Sequence, residues 1–176
     1  MRKTFMLVVL MALGVSSASA ARLGLGAYGG MNIPIVQEDQ SSGTTFGLKA
    51  KLGLLPGIAL EPNINFAKFG DATFEFGTRT GSKVNSYGVD ACLGSGLGTI
   101  GFKMYGLLGF GYYTVTRDYD EDIKKIGWTT GLGFEIGFTE SFGVEIRGKL
   151  NVIDSGGGGS KKAAAVTGGL NYYLGY

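Results

Sequence analysis

Large, mostly apolar residues alternate with glycine over residues 126–138, whose sequence is IGWTTGLGFEIGF. Ile126, Trp128 and Phe138 stand on one set of alternate positions, and the positions between them are mainly glycine, with a single carboxylate at Glu135. Strict alternation over this length indicates a β-strand with two different faces. In a soluble protein the apolar face would point inward and the other would carry charges into water. Here the second face has almost no polar or charged side chains that water could hydrate, so the pattern leaves open which face lies inside.

The same alternation recurs in seven other segments, which are residues 21–31, 45–55, 57–67, 85–93, 100–115, 142–152 and 165–176. Together the segments predict an all-β protein of eight strands. In the segment 100–115 we place Phe102 and Met104 on the apolar face, because Lys103 then falls on the opposite face. The opposite register, with Tyr105 and Leu107 on the apolar face, stays an alternative.

The connections between the segments alternate in length. Tight turns are expected at 54–57, 94–98 and 139–143, and polar loops at 32–44, 69–83, 115–125 and 153–163. This alternation is typical of an up-and-down antiparallel barrel, and in membrane barrels the short turns are periplasmic and the longer loops extracellular. The glycine-rich stretch SGGGGSKK at 155–162 is expected to be a flexible loop, and both a natural loop and an inserted linker fit it.

Nine charged residues of the segments fall on the face opposite to the apolar one. They are Lys49, Lys51, Glu61, Asp90, Lys103, Glu135, Glu145, Arg147 and Lys149. The interior of eight strands is only wide enough for a filling of side chains, and the many Phe, Trp and Tyr rings are too bulky for it. Lipid has room for them, whereas a charge on a lipid-facing wall costs about 2–4 kcal/mol. We therefore predict an eight-stranded antiparallel up-and-down transmembrane β-barrel, with glycine and the charged residues inside.

Two alternatives to this closed membrane barrel remain. The first is a soluble secreted calyx of the lipocalin or avidin type, in which Trp128 and Phe134 would surround a small apolar ligand. The second is a narrow channel, in which the nine interior charges would form an ion path. We favour a network of salt bridges that plugs the interior, because buried charges are kept when they are paired.

Aromatic residues gather near both ends of the predicted outer face, as in the interfacial girdles of membrane barrels. They are Phe46, Phe66, Tyr87, Tyr112 and Trp128 near the loops, and Phe102, Phe138, Phe142 and Tyr176 near the turns.

The first twenty residues predict a secretory signal peptide, residues 1–20, followed by the barrel, residues 21–176. The stretch has a basic start, a short apolar run and an A-x-A ending at Ala20. Removal of Arg2 and Lys3 leaves 14 basic residues against 14 acidic ones, so no nucleic-acid partner is expected. The chain has no histidine, and its single Cys92 has no obvious catalytic partner. We expect no enzymatic activity, no cofactor and no metal site.

The first strand, GLGAYGGMN, the eight alternating segments and the ending GGLNYYLGY resemble the small outer-membrane β-barrel domain proteins of the OmpA/OmpX type. The resemblance implies an integral protein of the outer membrane of a two-membrane bacterium, in contact with outer-membrane lipid. It implies that the barrel-assembly machinery recognises the last strand through Leu170, Tyr172, Leu174 and Tyr176. The expected role is structural or in surface interaction, without an open pore, and any extracellular ligand of the loops is not identified by the sequence.

Overall fold

The computed structural model describes residues 23–35, 41–74, 77–94, 99–117, 120–154 and 159–174. The predicted signal peptide and the terminal Tyr176 lie outside these ranges. Within them the chain forms ten strands: β1 (Leu23–Pro34), β2 (Ser41–Leu55), β3 (Ile58–Gly70), β4 (Ala72–Phe74), β5 (Gly77–Arg79), β6 (Lys83–Leu93), β7 (Gly101–Arg117), β8 (Asp120–Gly137), β9 (Phe142–Asp154) and β10 (Ser160–Leu174). Eight of them match the predicted segments, and β4 and β5 form a separate small hairpin.

The eight long strands close into one antiparallel barrel in the order β1-β10-β9-β8-β7-β6-β3-β2. Apart from the insertion of β4 and β5, each strand pairs with its neighbours along the chain. The first strand closes the ring against the last, with Gly24 opposite Tyr173 and Asn32 opposite Ala165. Closure gives the barrel wall no free edge, as hydrocarbon requires of a spanning sheet. The predicted all-β, up-and-down barrel is confirmed.

Three short connections lie at one end of the barrel, which we call the turn rim: residues 56–57, 94–100 and 138–141. Pro56 precedes Gly57, whose φ of 79° lies in the left-handed region that favours glycine. The amide of Gly94 donates to the carbonyl of Gly57 at 2.7 Å, which joins two of these turns. The tight turns predicted at 54–57 and 139–143 are therefore present, and most of the turn predicted at 94–98 lies outside the described residues.

The opposite end, which we call the loop rim, carries the connections 35–40, 71–82, 118–119 and 155–159. The strands extend further towards this end than the sequence indicated. The loop predicted over 115–125 is wrong for most of its length, because β7 continues to Arg117 and β8 begins at Asp120. The reason is that polar and charged residues can continue a strand ladder beyond the part of the wall that needs apolar side chains.

The apolar face of the wall points outward on all eight barrel strands. Phe102 is 69 % exposed on β7, whereas Tyr105 and Leu107 are 1 % and 3 % exposed, so the alternative register of the fifth segment is wrong. Trp128 and Phe134 also point outward, which excludes the soluble calyx. Val152, placed on the apolar face, is buried although it points outward, because Trp128 and Lys162 flank it in the register.

None of the described residues forms a helix that is long and apolar enough to cross a membrane.

Candidate functional site in the barrel interior

The interior of the barrel is polar, and the structure places all nine charged residues predicted for it there. Eight of the nine are buried, and the side chain of Lys149 retains 13 % exposure. Seven of them meet in the half of the interior next to the turn rim. We call this group the ionic cluster; it comprises Lys49, Lys51, Glu61, Lys103, Glu135, Glu145 and Arg147. The remaining two, Asp90 and Lys149, form a pair of their own.

Two carboxylates lie directly opposite one another at the centre of the ionic cluster. Glu135 of β8 and Glu145 of β9 are register partners. Two like charges in such positions repel each other and destabilise the sheet. The Lys51 ammonium lies between them, 2.7 Å from Glu135 Oε2 and 3.1 Å from Glu145 Oε2. The Asn171 amide also donates to both carboxylates, at 2.8 Å each. A cation from across the barrel and an amide from the strand next to β9 therefore stabilise the pair of acids.

Arg147 joins the ionic cluster to β3 on the far side of the interior. Its guanidinium forms a two-pronged contact with Glu61, in which Nη2 lies 2.5 Å from Oε2 and Nη1 contacts Oε1. Its Nε lies 2.6 Å from Glu145 Oε1. Lys49 contacts the same Glu145 and lies 3.9 Å from Glu61. The planar fork of arginine suits two carboxylates at once, and burial strengthens these charge-assisted bonds.

Lys103 closes the ionic cluster on the side of the turn rim. Its ammonium lies 3.0 Å from Glu135 Oε1. The Tyr173 hydroxyl donates to the same carboxylate, 2.6 Å from Oε1. With this contact both oxygens of Glu135 are engaged, and the contacts of the ionic cluster join side chains of β2, β3, β7, β8, β9 and β10.

Tyrosines inside the barrel were missed as members of the site, although the alternation placed Tyr28 and Tyr105 on the interior face. The Tyr105 hydroxyl donates to Glu145 at 3.0 Å and accepts from Arg147 Nε at 2.9 Å. Lys51 lies 5.1 Å from the centre of the same ring, within the range of a cation–π interaction. The available signal was the doublet at Tyr172 and Tyr173, because alternation forces one of the two rings inward.

Interior glycines provide the room that these long side chains occupy. A Cβ at Gly24 would lie 2.8 Å from the ring of Tyr173, and one at Gly26 would lie 2.7 Å from Cε of Lys49. A Cβ at Gly133 would overlap the ring of Tyr105. The glycines of the opening pattern are therefore the counterparts of the bulky residues inside the barrel, tyrosine as well as lysine and glutamate.

The pair of Asp90 and Lys149 lies nearer to the middle of the barrel. Lys149 Nζ is 2.6 Å from Asp90 Oδ2, and Asn63 donates to the same oxygen at 3.1 Å. Thr129 donates to Asp90 Oδ1 at 3.4 Å. The pair borders a cavity of about 50 Å³, which we call the polar cavity because amide, hydroxyl and phenol groups line it together with apolar side chains. Its volume suffices for a few water molecules and is far below that of a small-molecule pocket.

The aromatic residues predicted to form girdles stand on the outer wall where the structure describes them. Phe46, Tyr87, Trp128, Phe102 and Phe138 are all exposed. Phe46 stacks on Phe66, with the ring centres 5.3 Å apart. The remaining described members are Tyr112 and Phe142, which are also exposed.

The residues predicted as an assembly signal lie on the outer face of the last strand. Leu170, Tyr172 and Leu174 alternate along β10 and are exposed, and Tyr176 lies outside the described residues.

Known outer-membrane proteins share the architecture of this barrel. The family model described as outer membrane protein beta-barrel domain matches residues 5–175. Neisserial surface protein A is similar in structure, with a TM-score of 0.67, 12 % identity, and coverage of 88 % of this chain and 98 % of that one. The N-terminal β-barrel domain of OprF from Pseudomonas aeruginosa has a TM-score of 0.58 and 14 % identity, covering 86 % and 98 %.

OprG from the same organism has a TM-score of 0.55 and 17 % identity, covering 89 % of this chain and 97 % of its own. At these identities the solved structures establish a shared fold. No curated protein sequence matches the chain.

Proposed function

Because the chain belongs to the family of outer membrane protein beta-barrel domains, and is thus an integral protein of the outer membrane, we propose that it is a closed barrel with a structural or surface-interaction role. The ionic cluster is the observation that carries this proposal. It occupies the interior with paired charges where a porin would hold water.

The spacing of the aromatic residues supports a membrane-spanning band of ordinary height. Phe102 and Tyr112 stand ten residues apart on β7, as do Trp128 and Phe138 on and just after β8. At about 3.3 Å per residue and a strand tilt of about 40°, ten residues rise about 25 Å along the membrane normal, the height of the apolar band in such barrels. The two sets of rings are thus proposed to mark the two membrane interfaces.

The two rims are proposed to face different compartments. The short turns of the turn rim suit the periplasmic side, and the extended strand ends of the loop rim suit the extracellular side. Specific binding would then depend on the connections at the loop rim, such as 71–82 with its β4–β5 hairpin. The outward row of Leu170, Tyr172 and Leu174 is proposed as the signal that the barrel-assembly machinery recognises.

The chemistry of the interior supports binding and stability rather than catalysis. The carboxylates of the ionic cluster are engaged by Lys49, Lys51, Lys103 and Arg147. Cys92 is buried, and its thiol donates a hydrogen bond of 3.8 Å to the Glu61 carboxylate, which Arg147 already engages through both oxygens. A nucleophile needs a base beside it, and the chain contains no histidine. We therefore propose that it is not an enzyme.

Conductance across planar bilayers tests the closed interior. We expect the purified, refolded barrel to give no steady current steps, because charged and phenolic side chains fill the cross-section. A double variant, Lys51→Ala with Tyr105→Ala, removes two of these side chains and should raise the conductance, provided that heat-modifiable gel migration shows that it folds. Steady steps from the wild-type protein would contradict a closed barrel.

A further inference from the structure

A row of hydrogen-bond donors crosses the outer wall at the loop rim. Thr44 of β2 pairs with Lys68 of β3, Lys68 pairs with Lys83 of β6, and Lys83 pairs with Thr116 of β7. We call these four residues the donor row. Ala67 next to Lys68 is buried in the interior, so alternation directs the lysines outward, and both are exposed. Four neighbouring strands thus present two ammonium and two hydroxyl groups side by side.

The two lysines face each other as register partners, and no acid of the described part of the chain stands between them. Side chains of register partners have Cβ atoms about 4.5–5.5 Å apart, and like charges in that position are destabilising. Among the residues that the structure describes, neither lysine forms an ion pair. The nearest carboxylate along the chain, Asp71, accepts a hydrogen bond from the amide of Gly81 at 2.9 Å. The donor row therefore carries two positive charges with which no carboxylate of the described side chains forms an ion pair.

An apolar platform lies next to the donor row, on the side of the membrane. Phe46 and Phe66 are register partners, two residues along β2 and β3 from Thr44 and Lys68, and their rings stack. Two residues correspond to about 5 Å along the normal, so the lysines lie just beyond the aromatic interface. Cationic groups immediately above an aromatic surface match a molecule with an anionic head and apolar chains.

The opposite rim lacks this combination where the structure describes it. The outward residues next to its turns are apolar, among them Leu54, Ile58 and Leu93. Further outward-facing lysines, Lys124 and Lys162, stand on β8 and β10 towards the loop rim. Positive charge on the described outer wall is thus confined to one leaflet's side of the barrel.

We propose that the donor row and the stacked pair of Phe46 and Phe66 bind a phosphate-bearing lipid of the leaflet at the loop rim. The phosphate accepts hydrogen bonds from the two ammonium groups, and the acyl chains lie against the rings. This inference rests on the proposed position of the barrel in the membrane. The ligand is a lipid rather than free phosphate, because half of the site is apolar.

Lipid titration of the folded barrel in detergent, read by native mass spectrometry, tests the proposal. The probes are phosphatidic acid, phosphatidylcholine and inorganic phosphate. We expect the wild-type barrel to retain phosphatidic acid preferentially. The double variant Lys68→Gln, Lys83→Gln should bind it about thirtyfold more weakly, since one basic residue near a charged headgroup contributes roughly a factor of five.

The matched control is the double variant Lys124→Gln, Lys162→Gln, which loses the same charge elsewhere on the same side. It should retain phosphatidic acid with less than about a fivefold loss, because only the donor row places two cations side by side. Equal losses in the two double variants would overturn the proposal in favour of a diffuse positive surface. Binding of inorganic phosphate as tight as that of phosphatidic acid would overturn it as well.

Insertion into phosphatidylcholine vesicles separates this inference from the proposed function. A wild-type barrel that inserts and shows heat-modifiable migration, yet does not distinguish phosphatidic acid from phosphatidylcholine, overturns the lipid site alone. A chain that fails to insert contradicts the barrel's placement in the membrane, on which both proposals depend.

Discussion

The two halves of the barrel interior bury their polar groups in different ways. Next to the turn rim, the ionic cluster joins charged side chains directly to one another. Interior glycines such as Gly133 leave the space that the tyrosine rings of this half occupy. Towards the loop rim, neutral groups predominate around the polar cavity, as in the hydrogen bond of 2.7 Å from Thr45 to Asn65. Seven of the nine interior charges thus lie in the half that is filled, and the pair of Asp90 and Lys149 borders the cavity.

The difference follows from the unequal cost of burying charges and neutral polar groups. A buried ion must meet its counter-ion directly, because an uncompensated charge in a narrow, dry space is strongly unfavourable. An amide or a hydroxyl group is satisfied by one or two hydrogen bonds, and a water molecule can supply them. On this argument the half next to the turn rim is the part that we propose closes the barrel, whereas the half next to the loop rim has room for water.

Loss of a central acid should have the largest effect on stability. Glu145 contacts Lys49, Lys51 and Arg147, and it accepts from Tyr105 and Asn171 as well. We expect Glu145→Gln to lower the free energy of unfolding by about 3–5 kcal/mol, because it leaves buried cations without their acid. Urea unfolding in detergent micelles, followed by the fluorescence of the single tryptophan, measures it.

The matched control for this change is Glu140→Gln, which removes an exposed acid in a connection of the turn rim. It should change stability by less than about 0.5 kcal/mol. If both variants lose the same stability, the ionic cluster does not hold the barrel together and the contrast between the halves fails.

Added volume in the filled half should have the next largest effect. A Cβ at Gly133 would overlap the ring of Tyr105, so we expect Gly133→Ala to cost about 1–3 kcal/mol. Gly148 lies on the outer face with open space around it, and Gly148→Ala should be nearly neutral. Unfolding in urea compares the two. A tolerated methyl group at Gly133 would mean that the half next to the turn rim is not tightly filled.

The pair beside the polar cavity should be the least sensitive. In Lys149→Met, Asp90 would keep its hydrogen bonds from Asn63 and Thr129 and would have access to water in the cavity. We therefore expect a loss of about 1–2 kcal/mol in the free energy of unfolding. In an Asp90→Asn background the same change should cost much less, since the charge that needs a partner is gone. A loss as large as that of Glu145→Gln would show that the two halves do not differ.

Sequence alone was sufficient for much of the fold. Alternation predicted the eight barrel strands and their two faces, and the charge at Lys103 selected the register of β7 that the structure has. It was insufficient for the strand ends, since β7 and β8 run through most of the loop predicted over 115–125. The alternation of apolar residues ends where the outer wall no longer needs apolar side chains. The backbone hydrogen bonds between two strands continue as long as the strands remain side by side.

The candidate site divides in the same way. That the nine charged residues point inward was readable from their spacing, and so was the inward position of Tyr105. That Tyr105 and Asn171 would join the acids was not readable, because neither residue carries a charge that the pattern would mark.

What the sequence determined by itself is the direction of each side chain, inward or outward, because the strand's period of two is a local property of the backbone. What the tertiary structure decided is which inward residues meet. Lys49 contacts Glu145, which is 96 positions away in the sequence. Lys149 does not join the ionic cluster and pairs with Asp90. These pairings depend on the registers and tilt with which the sheet closes, and closure is a property of all eight strands together.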